Sequence, residues 1–267
     1  MSLDMLSILV VEDNPTNQVL IKQQLQFLGH HVELVENGKA ALKLLAAERF
    51  DIILTDINMP EMDGYQLARE VRTAYDSRIS SLPIIAITAN ATESDKKKCC
   101  AAGMDGFLTK PIEINFLKNF LLDLHKNNGQ AGHETHCSKP EKSDNNPAIE
   151  TISNFNSEVL ELSVISNFVG GDEQLIQKLL KVFLKQTPSI IDEIHVSCVS
   201  DNTTSVVSSS HKLKSSARSV GANRLADLCV ALESAGKENR LTDMKEIESR
   251  IDDVFTETQA AIVNLNS

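Results

Sequence analysis

Aromatic side chains make up only 4% of this 267-residue chain, with no tryptophan among them, and no basic recognition helix or aromatic-basic cluster appears. Cations are also the minority: 26 lysines and arginines face 37 aspartates and glutamates, a net charge of −11. Non-specific nucleic-acid binding needs a basic surface, so no direct contact with nucleic acid is expected. The longest basic run, Lys96-Lys97-Lys98, lies among Glu93 and Asp95 and reads as a solvated helix face. No apolar stretch nears the roughly 20 residues of a membrane helix, so no membrane segment is expected. Met1 to Leu6 has no basic segment, and Ile8 to Val11 is too short for the apolar part of a signal peptide. There is no glycine-rich nucleotide loop and no internal repeat. The five cysteines are an odd number, and only Cys99 and Cys100 are close together. Reduced thiols in a cytoplasmic setting are expected rather than a disulfide framework. His133, His136 and Cys137 sit in a polar stretch without a second ligand pair, so no metal site is expected there.

What is present is alternation. Apolar strand runs at Leu6 to Val11, His31 to Val35, Phe50 to Leu54, Ile84 to Thr88 and Gly106 to Leu108 are each followed by a helical pattern. Asn14-Pro15 reads as an N-cap with proline in the first helical position. Five strand–helix repeats predict an α/β unit, a doubly wound five-stranded parallel sheet with helices on both faces. The strand ends carry Glu12 and Asp13, Asp56, Thr88 and Lys110, and this topology brings them to one edge of the sheet, where ligands bind in open parallel sheets. Residues 127–157 are rich in Asn, Ser, Glu, Lys and Pro and read as a flexible linker spanning roughly 30 Å as a random coil. From about residue 158 the pattern is helical. Asp172 caps a long segment that Pro188 should kink or restart, Asn202 opens a helix closed by Gly221, and helices are predicted over 222–235 and 241–265. Four main helices with short connections predict an antiparallel four-helix bundle.

Three carboxylates at one sheet edge repel one another unless they share a hard cation. Mg²⁺ suits such oxygen ligands, taking one or two carboxylates and keeping several waters. Lys110 adds a positive charge and Thr88 a hydroxyl donor, both of use to a phosphoryl group, whose transfer needs positioning and charge neutralisation. Asp56 as nucleophile would give an acyl phosphate. Taken singly, Asp13 or Asn14 is a helix cap, Thr88 a strand residue and Lys110 a surface lysine; it is their common edge that points to chemistry. In the helical half, Val206, Ser210, Leu213, Ala217 and Val220 form one narrow face of a helix, and His211 falls about 140° from its centre. His211 is therefore expected at the surface, with Ser215 and Arg218 on the same outer side and Lys214 at its flank.

Ile8-Leu9-Val10-Val11-Glu12-Asp13-Asn14, Asp56 to Gly64, Ile87-Thr88-Ala89-Asn90 and Gly103 to Pro111 give residues 4–126 a resemblance to the receiver domain of two-component response regulators. The resemblance implies a flavodoxin-like fold, Asp56 as phosphoacceptor, and Mg²⁺ held by Asp13, Asp56 and the Asn58 carbonyl, with Glu12 acting through water. It also implies Thr88 and Phe107 as switch residues and a cis bond at Lys110-Pro111. His211-x-x-Lys214 running on to Gly221-Ala222 makes residues 158–267 similar to the histidine-containing phosphotransfer (HPt) domain, with Ser215 where that family usually has glycine. This implies that His211 carries a phosphoryl group screened by Lys214. The pairing is the usual tail of a hybrid sensor histidine kinase. The partners it implies are a sensor histidine kinase upstream and a response-regulator receiver downstream, in a phosphorelay on the cytoplasmic side. The alternative is a non-catalytic receiver scaffold within a larger sensor kinase.

Overall fold

The structure is a computed structural model that describes residues 5–88, 93–127, 159–169 and 172–265. Ala89 and Asn90, most of the polar stretch, and His133, His136 and Cys137 lie outside the described residues. The chain divides into two compact units, each considered by itself.

The first unit runs β1 (Ser7–Val11), α1 (Pro15–Phe27), β2 (His31–Val35), α2 (Gly38–Ala47), β3 (Ile52–Asp56), α3 (Gly64–Arg72), α4 (Ser77–Ser80), β4 (Ile84–Thr88), α5 (Glu93–Ala101), β5 (Gly106–Thr109) and α6 (Ile114–Asn127). The strands form one five-stranded sheet in the order β2-β1-β3-β4-β5, with every pair parallel. Side chains alternate between faces along a strand. Accordingly Leu9, Val11, Ile53 and Ala86 enter one core and Ile8, Val10, Ile52, Leu54, Ile85 and Ile87 the other. A strand buried on both faces reads as a continuous apolar run, and β3 and β4 are buried at every position. The expected start of β3 at Phe50 is corrected to Ile52. The intervening Asp51 turns its carboxylate to accept from the Ser7 backbone N–H at 2.7 Å, which breaks the run. Register then carries the strand ends to one edge: Val11 lies beside Thr55, Asp56 beside Ile87, and Thr88 beside Thr109. β1 lies between β2 and β3, so the strand order reverses beside β1, and the crevice of such a sheet opens there.

The second unit follows α7 (Leu162–Val169) with α8 (Glu173–Val199), α9 (Thr203–Ser219), α10 (Asn223–Lys237), α11 (Leu241–Glu248) and α12 (Ile251–Asn264). Leu179, Phe183 and Ile194 of α8, Val206 and Leu213 of α9, Leu225 and Leu232 of α10, and Ile251 and Ile262 of α12 are buried in it. Gly221 ends α9 with a positive φ of 70°, and a Cβ there would lie 2.3 Å from the Glu161 carbonyl oxygen. Two helix boundaries depart from expectation. Of the kink or restart expected at Pro188, the restart does not occur, since α8 runs through it; the adjacent Thr187 hydroxyl donates to the Phe183 carbonyl at 2.7 Å. The last helix, expected to be single, is split between Glu248 and Ile251. Ser249 hydroxyl donates to the Glu246 carbonyl at 2.8 Å there, the kind of local competition that weakens a helix. Cys99, Cys198 and Cys229 are buried free thiols.

Gly64 packs directly beneath the site edge. A Cβ on it would lie 2.3 Å from the Asp56 carbonyl oxygen and 3.1 Å from the Ile57 Cα. Backbone on that side cannot yield as a side chain would, so Gly64→Ala is expected to destabilise the first unit by about 1–3 kcal/mol. Tyr65 and Tyr75 are the only tyrosines and there is no tryptophan, so urea unfolding followed by tyrosine fluorescence reads this unit alone. In the second unit, His195 Nδ1 meets Glu248 and its Nε2 meets Asp252 at 3.1 Å, joining α8 to both sides of the split. Burial lowers the His195 pKa, but these hydrogen bonds outweigh it and hold the pKa above its ordinary value. A raised folded pKa adds stability below the ordinary histidine range that is lost as pH climbs through the folded value. Bundle stability read by helical circular dichroism should fall over that window, and His195→Gln should flatten the fall.

Candidate functional site

The edge residues of the first unit converge as expected. Asn14 is the cap of α1, accepting from Thr16 and Asn17 N–H groups at 3.0 and 3.4 Å, so Asp13 is not the cap. Carboxylate oxygens of Glu12, Asp13 and Asp56 lie within 4.8 Å of one another. Lys110 Nζ meets Glu12 Oε2 and Asp56 Oδ2, each at 2.5 Å. The Asn58 backbone N–H donates to Asp56 Oδ1 at 3.2 Å. Thr88, buried at the end of β4, accepts the Lys110 backbone N–H on its carbonyl at 2.7 Å. The Lys110-Pro111 bond is cis. Glu12 is 1% exposed and is further held by the Asn17 amide at 3.1 Å. Burial pushes its carboxyl up to about 7 against the lowering effect of Lys110, and Asp56 adds to the rise. Burial works to lower Lys110, but Asp56 and Glu12 outweigh it and keep its ammonium protonated. Phe107 stands apart from this cluster, half-buried on β5 with Lys96 Nζ 5.4 Å from its ring centre. Lys96 is only 19% exposed and also pairs with Glu93 at 2.9 Å, so it is not the freely solvated side chain expected.

In the second unit the wheel placed the core face correctly: Val206, Ser210, Leu213, Ala217 and Val220 are all buried. It placed Ser215 and Lys214 too far out. His211 is half-buried, its side chain 18% exposed, and Nδ1 meets Glu233 Oε1 at 3.2 Å. Lys214 is 2% exposed, with Nζ at 2.5 Å from Glu233 Oε2, and Ser215 is buried. Ser215, expected on the outer side, and Lys214, expected at its flank, are therefore corrected to buried positions. α9 is packed by α8 on one side and α10 on another, so it has no broad outer face. Its serines tolerate this by bonding locally: Ser216 hydroxyl donates to the Lys212 carbonyl at 3.2 Å and Ser219 to Ser215 at 3.0 Å.

Glu233 was missed in the sequence. It receives His211, Lys214 and, at 2.9 Å, Lys237 Nζ. Burial would raise its carboxyl, but these three hydrogen bonds outweigh that and hold it well below the carboxylate range. A signal was available: Leu225, Ala226, Cys229, Leu232, Glu233 and Gly236 make one buried helical stripe, and an acid in such a stripe requires a cation. His211 thus has one ring nitrogen, Nδ1, engaged by a fixed carboxylate.

Two family models match in tandem, the response regulator receiver domain over residues 8–121 and the Hpt domain over residues 178–261. The chain is a receiver domain followed by an Hpt domain. Together, receiver and Hpt domains are the parts of phosphorelay signal transduction. The receiver–Hpt chain is 34% identical over 182 residues, 68% of its length, to the sensor protein EvgS of Escherichia coli K12. It is 30% identical over 257 residues, 94% of its length, to the signal transduction histidine-protein kinase BarA of the same strain. It spans 13% of EvgS and 27% of BarA. Among solved structures, the receiver domain of a sensor histidine kinase from Pseudomonas aeruginosa PAO1, which has a magnesium ion coordinated in its active-site cleft, is 40% identical. The match covers 45% of this chain and 97% of that one, with a TM-score of 0.42.

The ion-pair network of the Hpt domain is open to a stability test. Glu233→Ala leaves the Lys214 ammonium buried and unpaired, which costs about 3–5 kcal/mol. The expected result is a helical circular dichroism transition at lower urea with the tyrosine transition of the receiver unmoved.

Proposed function

We propose that this chain passes phosphoryl groups between aspartate and histidine side chains, with Asp56 as acceptor in the receiver and His211 as carrier in the Hpt domain. The observation that carries the reading is the setting of Asp56: a buried carboxylate at the strand-order reversal, held by Lys110 and grouped with two further acids. An ordinary structural salt bridge has no use for the extra carboxylates, whereas a divalent cation does. The residues fit Mg²⁺: Asp13, Asp56, the Asn58 carbonyl and, through water, Glu12 would hold it, and the ion when bound would neutralise phosphoryl charge. Lys110 neutralises a second share of that charge and orients Asp56 Oδ2. Thr88 supplies a hydroxyl at the neighbouring strand end, and Phe107 on β5 responds to its movement as the switch partner. In the Hpt domain, Glu233 keeps a proton on His211 Nδ1, leaving the Nε2 lone pair to attack phosphorus. Lys214 acts on the histidine through Glu233, as a positioning residue. The phosphoryl source is a sensor histidine kinase and the recipient of the His211 phosphoryl is a receiver aspartate, on this chain or another. The receiver spans residues 4–126 and the Hpt domain 158–267, with a linker between.

The test is phosphotransfer in Mg²⁺ from a labelled sensor kinase and, separately, from acetyl phosphate, to the full chain and its Asp56→Asn and His211→Gln variants. Base-labile label should vanish in Asp56→Asn, and acid-labile, base-stable label should vanish in His211→Gln. Wild-type labelling of Asp56→Asn with base-labile phosphate would sink the assignment. Chelation of the metal should slow labelling of Asp56 by at least about 100-fold, a loss of roughly 3 kcal/mol of transition-state stabilisation.

A further inference from the structure

The phosphohistidine needs a cation beside it, and the lysine expected to supply one is buried. Lys214 Nζ is bound to Glu233 Oε2 and its side chain is 2% exposed. Withdrawing it would leave a buried carboxylate short of its main partner, a costly step. Lys237 is placed differently. Its side chain is 58% exposed, and its Nζ lies 2.9 Å from Glu233 Oε1, the same oxygen that His211 Nδ1 meets at 3.2 Å. A lysine ammonium on a flexible stem can exchange partners at the surface with little loss. Arg218 is two turns further along α9, about 10 Å from His211 on the helix axis. Lys212 is next in sequence to His211 and so points about 100° away around the helix.

We propose that Lys237 is a catalytic residue of the Hpt domain: its ammonium moves from Glu233 onto the phosphoryl group arriving at His211 Nε2, while Lys214 stays buried to hold Glu233. The inference rests on the phosphorelay reading above. In the step, the Nε2 lone pair forms the N–P bond as the acyl O–P bond breaks, and the donor leaves as an aspartate carboxylate. Nδ1 keeps its proton. The ring therefore becomes cationic, facing Glu233, and the phosphoryl dianion faces solvent, where Lys237 meets it. When Lys237 turns outward, Glu233 retains Lys214 and gains a full charge partner in the ring. The exchange conserves the number of cations on the carboxylate, which gives Lys237 its freedom to leave.

The test uses the full chain carrying Asp56→Asn, so that His211 is the intended target, with phosphoramidate as the phosphoryl donor and phosphorus NMR as the readout. Lys237→Gln should slow formation of phosphohistidine about tenfold, the loss of one charge-assisted contact, and should shift the pH titration of its phosphorus resonance. Lys237→Arg should recover most of the rate, and helical circular dichroism should be the same in all three proteins. Unchanged rate and resonance in Lys237→Gln would overturn the inference, as would a deficit shared equally by Lys237→Arg. Absence of label on His211 with Lys237 intact would instead overturn the phosphorelay reading itself, and this inference with it.

Discussion

A carboxylate taken out of water must keep a cation or give up its charge, and both centres of this chain are organised by that constraint. In the receiver, Lys110 lies between Glu12 and Asp56, with all three side chains less than a tenth exposed. In the Hpt domain, Lys214 and Glu233 form the corresponding buried pair. The two differ in what the pair supports. Lys110 touches the carboxylate that we assign to react, so its charge is available where phosphoryl charge develops. Lys214 touches a carboxylate that orients the reacting histidine, so its charge is spent one residue further away. The outer cation Lys237 completes the second site for this reason.

The local backbone serves these pairs. In the receiver, parallel register delivers Asp56 beside β4 and next to the β1 end that carries Glu12, and the close approach of Gly64 keeps the Asp56 carbonyl in place. Ordinary side chains would not fit at Gly64, which ties the first turn of α3 to the end of β3. In the Hpt domain, among the described residues, His211, Lys214, Glu233 and Lys237 all come from α9 and α10. Rigid helices hold the site, and the one mobile element it requires is a lysine side chain.

The receiver was legible in the sequence because a parallel sheet converts linear order into spatial order. Once five strands are identified, Glu12, Asp56, Thr88 and Lys110 must share an edge, whatever the details of packing. The same reasoning could not find the Lys96–Phe107 contact, which depends on how α5 leans on β5. The Hpt domain was legible only as a set of helices. A wheel gives the direction of a side chain relative to one buried stripe, and α9 has neighbours on more than one side. Ser215 was put outside and Lys214 at the flank for that reason, although Val206, Leu213 and Ala217 were correctly put inside. Pro188 does not restart α8, because packing of the long helix on both flanks outweighs the loss of one backbone hydrogen bond.

Charge also bears on the direction of flow. A phosphoryl group adds about two negative charges wherever it rests. On Asp56, under the proposed reading, it would replace one of three clustered carboxylates and face the remaining two, Glu12 and Asp13, beside the Lys110 ammonium, so a further cation is called for. On His211 it joins a carboxylate already matched by Lys214, with Lys237 and the ring charge in surplus. On the proposed reading, a bound divalent metal would therefore weight the balance between the two residues as well as the rate at the first.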